Sequence, residues 1–236
     1  MKKVLTSIAL FAMLVGACAP QGLPTELPPE VIEQATQISE DLTPAQDAAI
    51  STVVQNLGVV AEQVKVVSTE AVEWPDSCLG IAMEGVSCAQ VVTPGFRVIL
   101  DVAGKQVEYR TNEDASVIHP ATTAVTWNRV GGVAGFCDSL TIYLSGEVRA
   151  TNCNTSEVVE KRLSELASPE QIAMMDEWIS TFGLVDIDAS DPQGMADAMS
   201  VQLQLMGQGT EQLTSPQIQQ ILLQFAQDLQ SRMMNP

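Results

Sequence analysis

The sequence is poor in aromatic residues, cations and histidine, and each of these shortages argues against one class of function. Phe, Trp and Tyr make up 4% of the 236 residues, too few for the aromatic platforms of sugar-binding grooves. Lys and Arg number 11 against 29 Asp and Glu, a net charge of −18, which argues against nucleic acid and anionic lipid surfaces as partners. The single histidine, His119, precedes a proline and has no local catalytic partner. We interpret it as an exposed linker residue.

Motifs for metals and phosphates are also missing. No CxxC pair exists, and Asp186, Asp188 and Asp191 fall in a predicted loop that lacks the glycine and final glutamate of an EF-hand. We therefore expect no metal site, no cofactor and no catalytic residue, and predict that the chain is not an enzyme. An enzyme that uses surface carboxylates is kept as an alternative, because the chain is so acidic.

The N-terminus has the layout of a secretion signal. Two lysines precede a mostly apolar run from Val4 to Val15, which is shorter than the about 20 residues of a membrane span. The small residues Gly16 and Ala17 then precede Cys18. This pattern resembles the lipobox of bacterial lipoproteins. The resemblance implies that residues 1–17 are removed, that the Cys18 thiol takes a diacylglycerol and that the new N-terminus is acylated.

The expected location follows from this reading. Cys18 would anchor the chain to a lipid bilayer in the cell envelope, facing outside the cytoplasm. The alternatives are an ordinary signal peptide with a chance cysteine, or a buried N-terminal helix. Loss of residues 1–17 removes two lysines and no acid, leaving nine cations against 29 acids and a net charge of −20. Residues 18–42 contain four prolines, so we predict a lipidated, Pro-rich tether.

Four further cysteines remain in the exported part of the chain: Cys78, Cys88, Cys137 and Cys153. Disulfides are expected outside the cytoplasm, and four cysteines allow three pairings. A hairpin that turns at Ser145-Gly146 would place Cys137 and Cys153 nearly opposite each other. We therefore predict the local pairs Cys78–Cys88 and Cys137–Cys153, with a zinc site as the rival interpretation.

Residues 43–118 are predicted to form a small α+β domain with a Cys78–Cys88 loop. Thr43, Pro44 and Gln46 are typical of a capped helix start, and Gly58 of its end. The β-branched stretch from Val64 to Trp74 predicts a strand. Alternating apolar residues on both sides of a turn at residues 103–105 predict a hairpin.

Residues 122–233 are predicted to form a second α+β domain. A strand runs through Val125, Trp127 and Arg129 into a glycine-rich segment, and a hairpin follows. Ser168-Pro169 and Ser215-Pro216 each begin a helix with an apolar stripe, and residues 201–205 alternate as a strand between them. The fold class is thus α+β: two small units, each with helices packed on a mostly antiparallel sheet, braced by disulfides.

The segment from Gly131 to Phe136, Gly-Gly-Val-Ala-Gly-Phe, is the most distinctive in the chain. Its glycines suit a sharp turn between strands, and it lacks the Lys-Ser/Thr ending of a phosphate loop. With the preceding strand, residues 125–136 resemble the opening strand and Gly-Gly-x-Ala-Gly turn of the emfourin family. The resemblance covers residues 122–233 and implies a protein inhibitor of protealysin and related thermolysin-type metalloproteases.

The two cysteines, the anchor and the N-terminal unit depart from that family. The N-terminal unit is similar in layout to PepSY domains of protease propeptides. We predict a protein-binding lipoprotein whose most specific partner is a secreted metalloprotease, contacted by Gly131, Gly132, Gly135 and Phe136. The alternative is a structural or accessory envelope lipoprotein without inhibitory activity.

Overall fold

The computed structural model of the chain describes residues 43–192 and 194–234. The predicted signal peptide, Cys18 and the tether of residues 18–42 lie outside the described residues. Leu42–Pro236 form one compact unit. Within the described part of the chain, no helix is long and apolar enough to cross a membrane.

Helix α1 (Pro44–Leu57) begins and ends where the sequence predicts. The Thr43 hydroxyl accepts a hydrogen bond from the Gln46 amide at 3.3 Å, and the Gln46 side chain accepts one from the Thr43 amide at 2.7 Å. These two bonds complete the capping box. The helix buries Ala45, Ala49 and Val53 and packs against the first two strands of the chain.

The first sheet contains four antiparallel strands in chain order. The predicted hairpin is confirmed, since Val102 pairs with Lys105 across a two-residue turn. Its inward residues Val98, Leu100 and Tyr109 are fully buried. The strands are β1 (Val64–Trp74), β2 (Thr93–Val102), β3 (Lys105–Asn112) and β4 (Ile118–Pro120).

The second sheet contains six antiparallel strands in the order β8-β7-β6-β5-β10-β9. The last strand in sequence therefore lies between the first and the fifth strands of this sheet. The six are β5 (Thr123–Gly131), β6 (Phe136–Tyr143), β7 (Glu147–Asn152), β8 (Glu157–Arg162), β9 (Leu184–Asp188) and β10 (Met199–Met206).

Three helices accompany this sheet: α2 (Leu163–Leu166), α3 (Pro169–Thr181) and α4 (Pro216–Met234). Ser168 caps α3 through a second capping box, as predicted. Helix α4 packs across β5 to β8. The Trp178 ring of α3 meets the Phe225 ring of α4 edge to face, with centroids 6.2 Å apart.

The predicted fold class, α+β with two antiparallel sheets braced by disulfides, is confirmed. The first sheet ends at Pro120 and the second begins at Thr123, beside the predicted boundary. Both sheets contribute to one contiguous hydrophobic core. The division into two separate domains stays a prediction.

Both predicted disulfides are confirmed. Cys78 bonds Cys88, and Cys137 bonds Cys153, each with 5.4 Å between the Cα atoms. Around the Cys137–Cys153 bond, the register of β6 and β7 lies one residue from that of the predicted hairpin, so the two cysteines, predicted to be nearly opposite, are directly opposite.

The Asp-rich segment differs from its prediction as a loop. Asp186 and Asp188 lie on β9, and Asp191 alone follows the strand. A short strand with two outward acids is hard to distinguish from a loop by composition, because only Val185 and Ile187 point to the core. Strand β8 was also not predicted, since its sequence has just two adjacent apolar residues.

Candidate functional site

The turn between β5 and β6 is built around glycines. At Gly131 the backbone has φ +92°, which favours glycine. A Cβ atom there would lie 2.5 Å from the Ala198 carbonyl oxygen. Gly131 therefore lets the β5 end and the segment before β10 touch, and a larger residue at this position would separate them.

Two neighbouring turns hold this glycine turn in place. The Gly132 amide donates to the Ala198 carbonyl at 3.2 Å, and the Asn154 side chain donates to the Gly135 carbonyl at 2.7 Å. The Cys137–Cys153 disulfide joins the start of β6 to the turn that follows β7. We call the three turns together, residues 130–136, 153–156 and 194–198, the tip surface.

Arg129 packs against Phe136 on the inner side of the tip surface. Its guanidinium lies 3.7 Å from the centre of the Phe136 ring and forms an ion pair with the buried Asp138 at 2.6 Å. The Asn152 side chain donates a further bond to Asp138 at 2.9 Å. Phe136, one of the predicted contact residues, is therefore half-buried and held against a fixed cation.

The exposed part of the tip surface has an apolar portion, Val130, Val133 and Met195, beside the polar Asn154, Thr155 and Ser156. Val133, in the middle of the turn between β5 and β6, is 91% exposed, and Val130 and Met195 are also exposed. Its one charged residue is the exposed Asp197, and Asp191 and Glu157 flank the surface. Arg129 is already paired with Asp138, so the surface presents apolar side chains beside negative charge. The structure thus brings the predicted glycines together and adds Val133, which the glycine pattern alone did not single out.

His119 was wrongly interpreted as an exposed linker residue. It lies on β4, is half-buried, and faces a cleft of about 350 Å³ where β4 approaches β7 and β8. Burial lowers the pKa of His119 below its ordinary value of 6.5; the nearby Arg149 lowers it further and Glu160 opposes this. No local pattern predicts the cleft, because its residues come from distant strands.

A partly buried carboxylate, Glu147, lines the same cleft. Glu147, at the start of β7, accepts hydrogen bonds from the Tyr109 hydroxyl at 3.0 Å and from the Ser145 hydroxyl. Burial raises the pKa of Glu147 to about 6, from an ordinary 4.5. Burial also raises the pKa of Tyr109. The group links β3 of the first sheet to β7 of the second.

Glu147→Gln is expected to stabilise the protein at pH 7.5 but not at pH 4.5. Because the folded-state pKa lies above the unfolded one, the wild-type carboxylate becomes destabilising as pH rises from 4.5 through 6. The difference between about 6 and 4.5 corresponds to about 2 kcal/mol, which the neutral amide avoids. Urea unfolding at both pH values measures it. Glu62→Gln, at an exposed position, controls for net charge, and an effect of Glu147→Gln that is equal at both pH values would contradict the expectation.

Among the residues that the structure describes, one group of side chains has metal-ligand chemistry: Asp76, Cys78 and Cys88, whose candidate ligand atoms lie within 4.8 Å of one another. Both sulfur atoms are in the disulfide, so neither is a thiolate. The Asp76 carboxylate accepts hydrogen bonds from the Cys78 and Gly80 amides at 2.9 and 3.1 Å. The group fixes the loop after β1 rather than offering open metal ligands.

Comparison with known proteins adds one similarity. No curated protein and no solved structure matches the chain. The family that matches is described as "Domain of unknown function (DUF8738)", and the match covers residues 46–120. This stretch contains most of α1, the whole first sheet and the Cys78–Cys88 loop. The second sheet and the tip surface lie outside it, so the similarity to DUF8738 concerns the first sheet and its helix.

Proposed function

We propose that the chain is a lipid-anchored protein-binding module outside the cytoplasm, and that the tip surface is its contact with the partner. The observation that carries the proposal is the 91% exposure of Val133. This residue lies in the middle of a turn that is held by the hydrogen bond to Ala198 and by the Cys137–Cys153 disulfide. A large apolar side chain on a rigid, protruding turn is costly in water and is available to a partner. Interfaces commonly depend on a few such residues near their centre.

Rigidity of the tip surface favours binding for an energetic reason. A loop that is already ordered loses little conformational entropy when it binds, so more of the contact energy appears as affinity. Here the disulfide, the Ala198 contact and the Arg129–Phe136 stack supply that order. The adjoining acids favour a partner with a basic rim around an apolar pocket.

The more specific proposal is inhibition of a secreted thermolysin-type metalloprotease. It rests on the resemblance of residues 122–233 to emfourins, and the tip surface contains the glycine turn on which that resemblance depends. The tip surface would occupy the protease cleft by shape, without chemistry of its own.

The anchor proposal rests on Cys18 and the apolar run before it, and the two disulfides agree with an oxidising compartment. In a bacterial host, Cys18→Ser is expected to shift the protein from the membrane fraction to the soluble fraction. Mass spectrometry of the wild-type N-terminal peptide should find a lipid-modified Cys18. An unmodified Cys18 would rule the anchor out.

The inhibitor proposal is tested by titrating residues 19–236, which contain the compact unit, against a thermolysin-type protease. We expect loss of proteolysis and a complex on size-exclusion chromatography at micromolar concentration. Absence of both would exclude the inhibitor and leave an accessory envelope lipoprotein.

Val133→Asp is expected to weaken the complex about 30-fold, the effect of losing one central interface residue of about 2 kcal/mol. Leu184→Asp is the matched control, because Leu184 is also apolar and 68% exposed but lies at the opposite end of the second sheet. Isothermal titration calorimetry measures both. Equal losses from the two variants would contradict a contact through the tip surface.

A further inference from the structure

The cleft beside His119 contains a buried cation with an unusual counter-ion. The Arg149 side chain is only 9% exposed, and its carboxylate partner is Glu160, which is 65% exposed on the edge strand β8. A second guanidinium nitrogen donates to the Glu84 carbonyl at 3.2 Å. The third, Nε, has no hydrogen-bond partner within the described residues. A buried guanidinium needs acceptors, and here its anionic one is supplied by a side chain that lies mostly in solvent.

Two other polar groups of the cleft are also without protein partners. Neither the His119 imidazole nor the Tyr143 hydroxyl forms a hydrogen bond with any residue that the structure describes, although both line the cleft. Both lie close enough to Arg149 and Glu160 for those charges to affect their pKa values. These two groups therefore accompany the guanidinium, as does the buried Asn56 Nδ2 atom, which also lines the cleft and has no partner in the described residues.

Of the remaining charged residues around the cleft, three have partners among the described residues and one does not. Glu147 accepts from Tyr109 and Ser145, and Glu165 is paired with Arg162 at 2.6 Å. Lys161 lines the cleft but pairs with no acid in the described residues. Three less polar side chains, Met83, Ile118 and Pro120, also line the cleft. The cleft thus combines charged and apolar side chains.

We propose that this cleft binds a small organic carboxylate, whose carboxylate group replaces Glu160 as the partner of Arg149. The His119 imidazole and the Tyr143 hydroxyl donate hydrogen bonds to it, and its hydrocarbon part lies against Met83, Ile118 and Pro120. A cleft of about 350 Å³ is at the small end of ligand sites, so the ligand is a small molecule. This site is separate from the tip surface and does not depend on its function.

Displacement of Glu160 is energetically reasonable. Ion pairs with a largely exposed partner contribute little to stability, so little is lost when Glu160 leaves. A charged hydrogen bond from a half-enclosed donor contributes more. Glu160 is therefore a competitor of the ligand, and removing this acid should tighten binding more than removing another acid of the cleft.

The test uses hexanoate as probe and residues 19–236 as protein. His119 is the single histidine of the chain, so its imidazole signal in the NMR spectrum reports on this cleft alone. Hexanoate is expected to shift that signal saturably, and hexanamide, the neutral analogue, is not. Glu160→Gln should tighten hexanoate binding about threefold to fivefold. Tyr143→Phe, which loses one donor, should weaken it about tenfold.

Glu165→Gln is the matched control, because Glu165 is also a partly exposed, ion-paired acid at this cleft but does not contact Arg149. It should leave the affinity unchanged within about twofold. The proposal is overturned by any of three results: no saturable shift up to about 10 mM hexanoate, equal binding of hexanamide, or an affinity that Glu160→Gln leaves unchanged or lowers. Circular dichroism of each variant checks that it is folded.

Discussion

Replacing Cys137 and Cys153 together with alanine should lower the free energy of unfolding by about 3 kcal/mol and weaken partner binding. The two residues are 16 positions apart, and a cross-link over a loop of this length stabilises by about that amount. The disulfide also joins β6 to the turn that follows β7, in which Asn154 donates a hydrogen bond to the Gly135 carbonyl. Without it, the turn must be ordered on binding. Urea unfolding gives the first effect, and calorimetry with the partner gives the second.

The matched control replaces Cys78 and Cys88 with alanine. That disulfide closes a loop of 10 positions, so the loss of stability should be similar, about 3 kcal/mol. Partner affinity should fall clearly less than in the Cys137/Cys153 variant, because the Cys78–Cys88 loop borders the tip surface only through Glu84 and Gly85, near Val130 and Cys153. If both double variants lose affinity equally, general destabilisation rather than the local brace is the cause, and the role given to Cys137–Cys153 is wrong.

Gly95→Ala should destabilise the first sheet by about 3 kcal/mol. A Cβ atom at Gly95 would lie 1.8 Å from the Thr111 carbonyl oxygen and 2.8 Å from Trp74 Nε1. That carbonyl accepts a buried hydrogen bond from Trp74 Nε1 at 2.9 Å. The methyl group must therefore push β3 away from β2 and lengthen this bond, and overpacking and a broken buried hydrogen bond each cost about 1–3 kcal/mol. Unfolding followed by tryptophan fluorescence measures the loss.

Gly104→Ala separates this clash from the general cost of replacing a glycine. Gly104 lies in the β2–β3 turn at φ +85°, with no atom near a new Cβ. The expected loss is about 1 kcal/mol, from backbone strain alone. A Gly95→Ala loss no greater than that of Gly104→Ala would show that β2 and β3 can separate freely.

Local sequence signals predicted much of the fold. The capping boxes at Thr43 and Ser168 fixed the starts of α1 and α3, since their hydrogen bonds involve residues three apart. Alternation and a tight turn fixed the β2–β3 hairpin. The same reasoning applied to Ser145-Gly146 placed Cys137 opposite Cys153, because hairpin register depends on nearby residues alone.

The parts that were missed depend on contacts between distant residues. Strand β9 is held by β10, and β8 by β7, so neither needs a strong pattern of its own. The cleft joins His119 to Arg149 and Glu160 from three different strands, which no spacing rule could reveal. For the tip surface, the glycines indicated a turn, whereas the exposure of Val133 and the contact with Ala198 required the structure.

The most direct test of the tip surface is site-specific photo-cross-linking. Benzoylphenylalanine is placed at position 133 or at position 184 of residues 19–236, mixed with a thermolysin-type protease and irradiated. The predicted result is a cross-linked complex from position 133, with the linked peptide at the protease active-site cleft, and none from position 184. A cross-link from position 184 and none from position 133 would contradict binding through the tip surface.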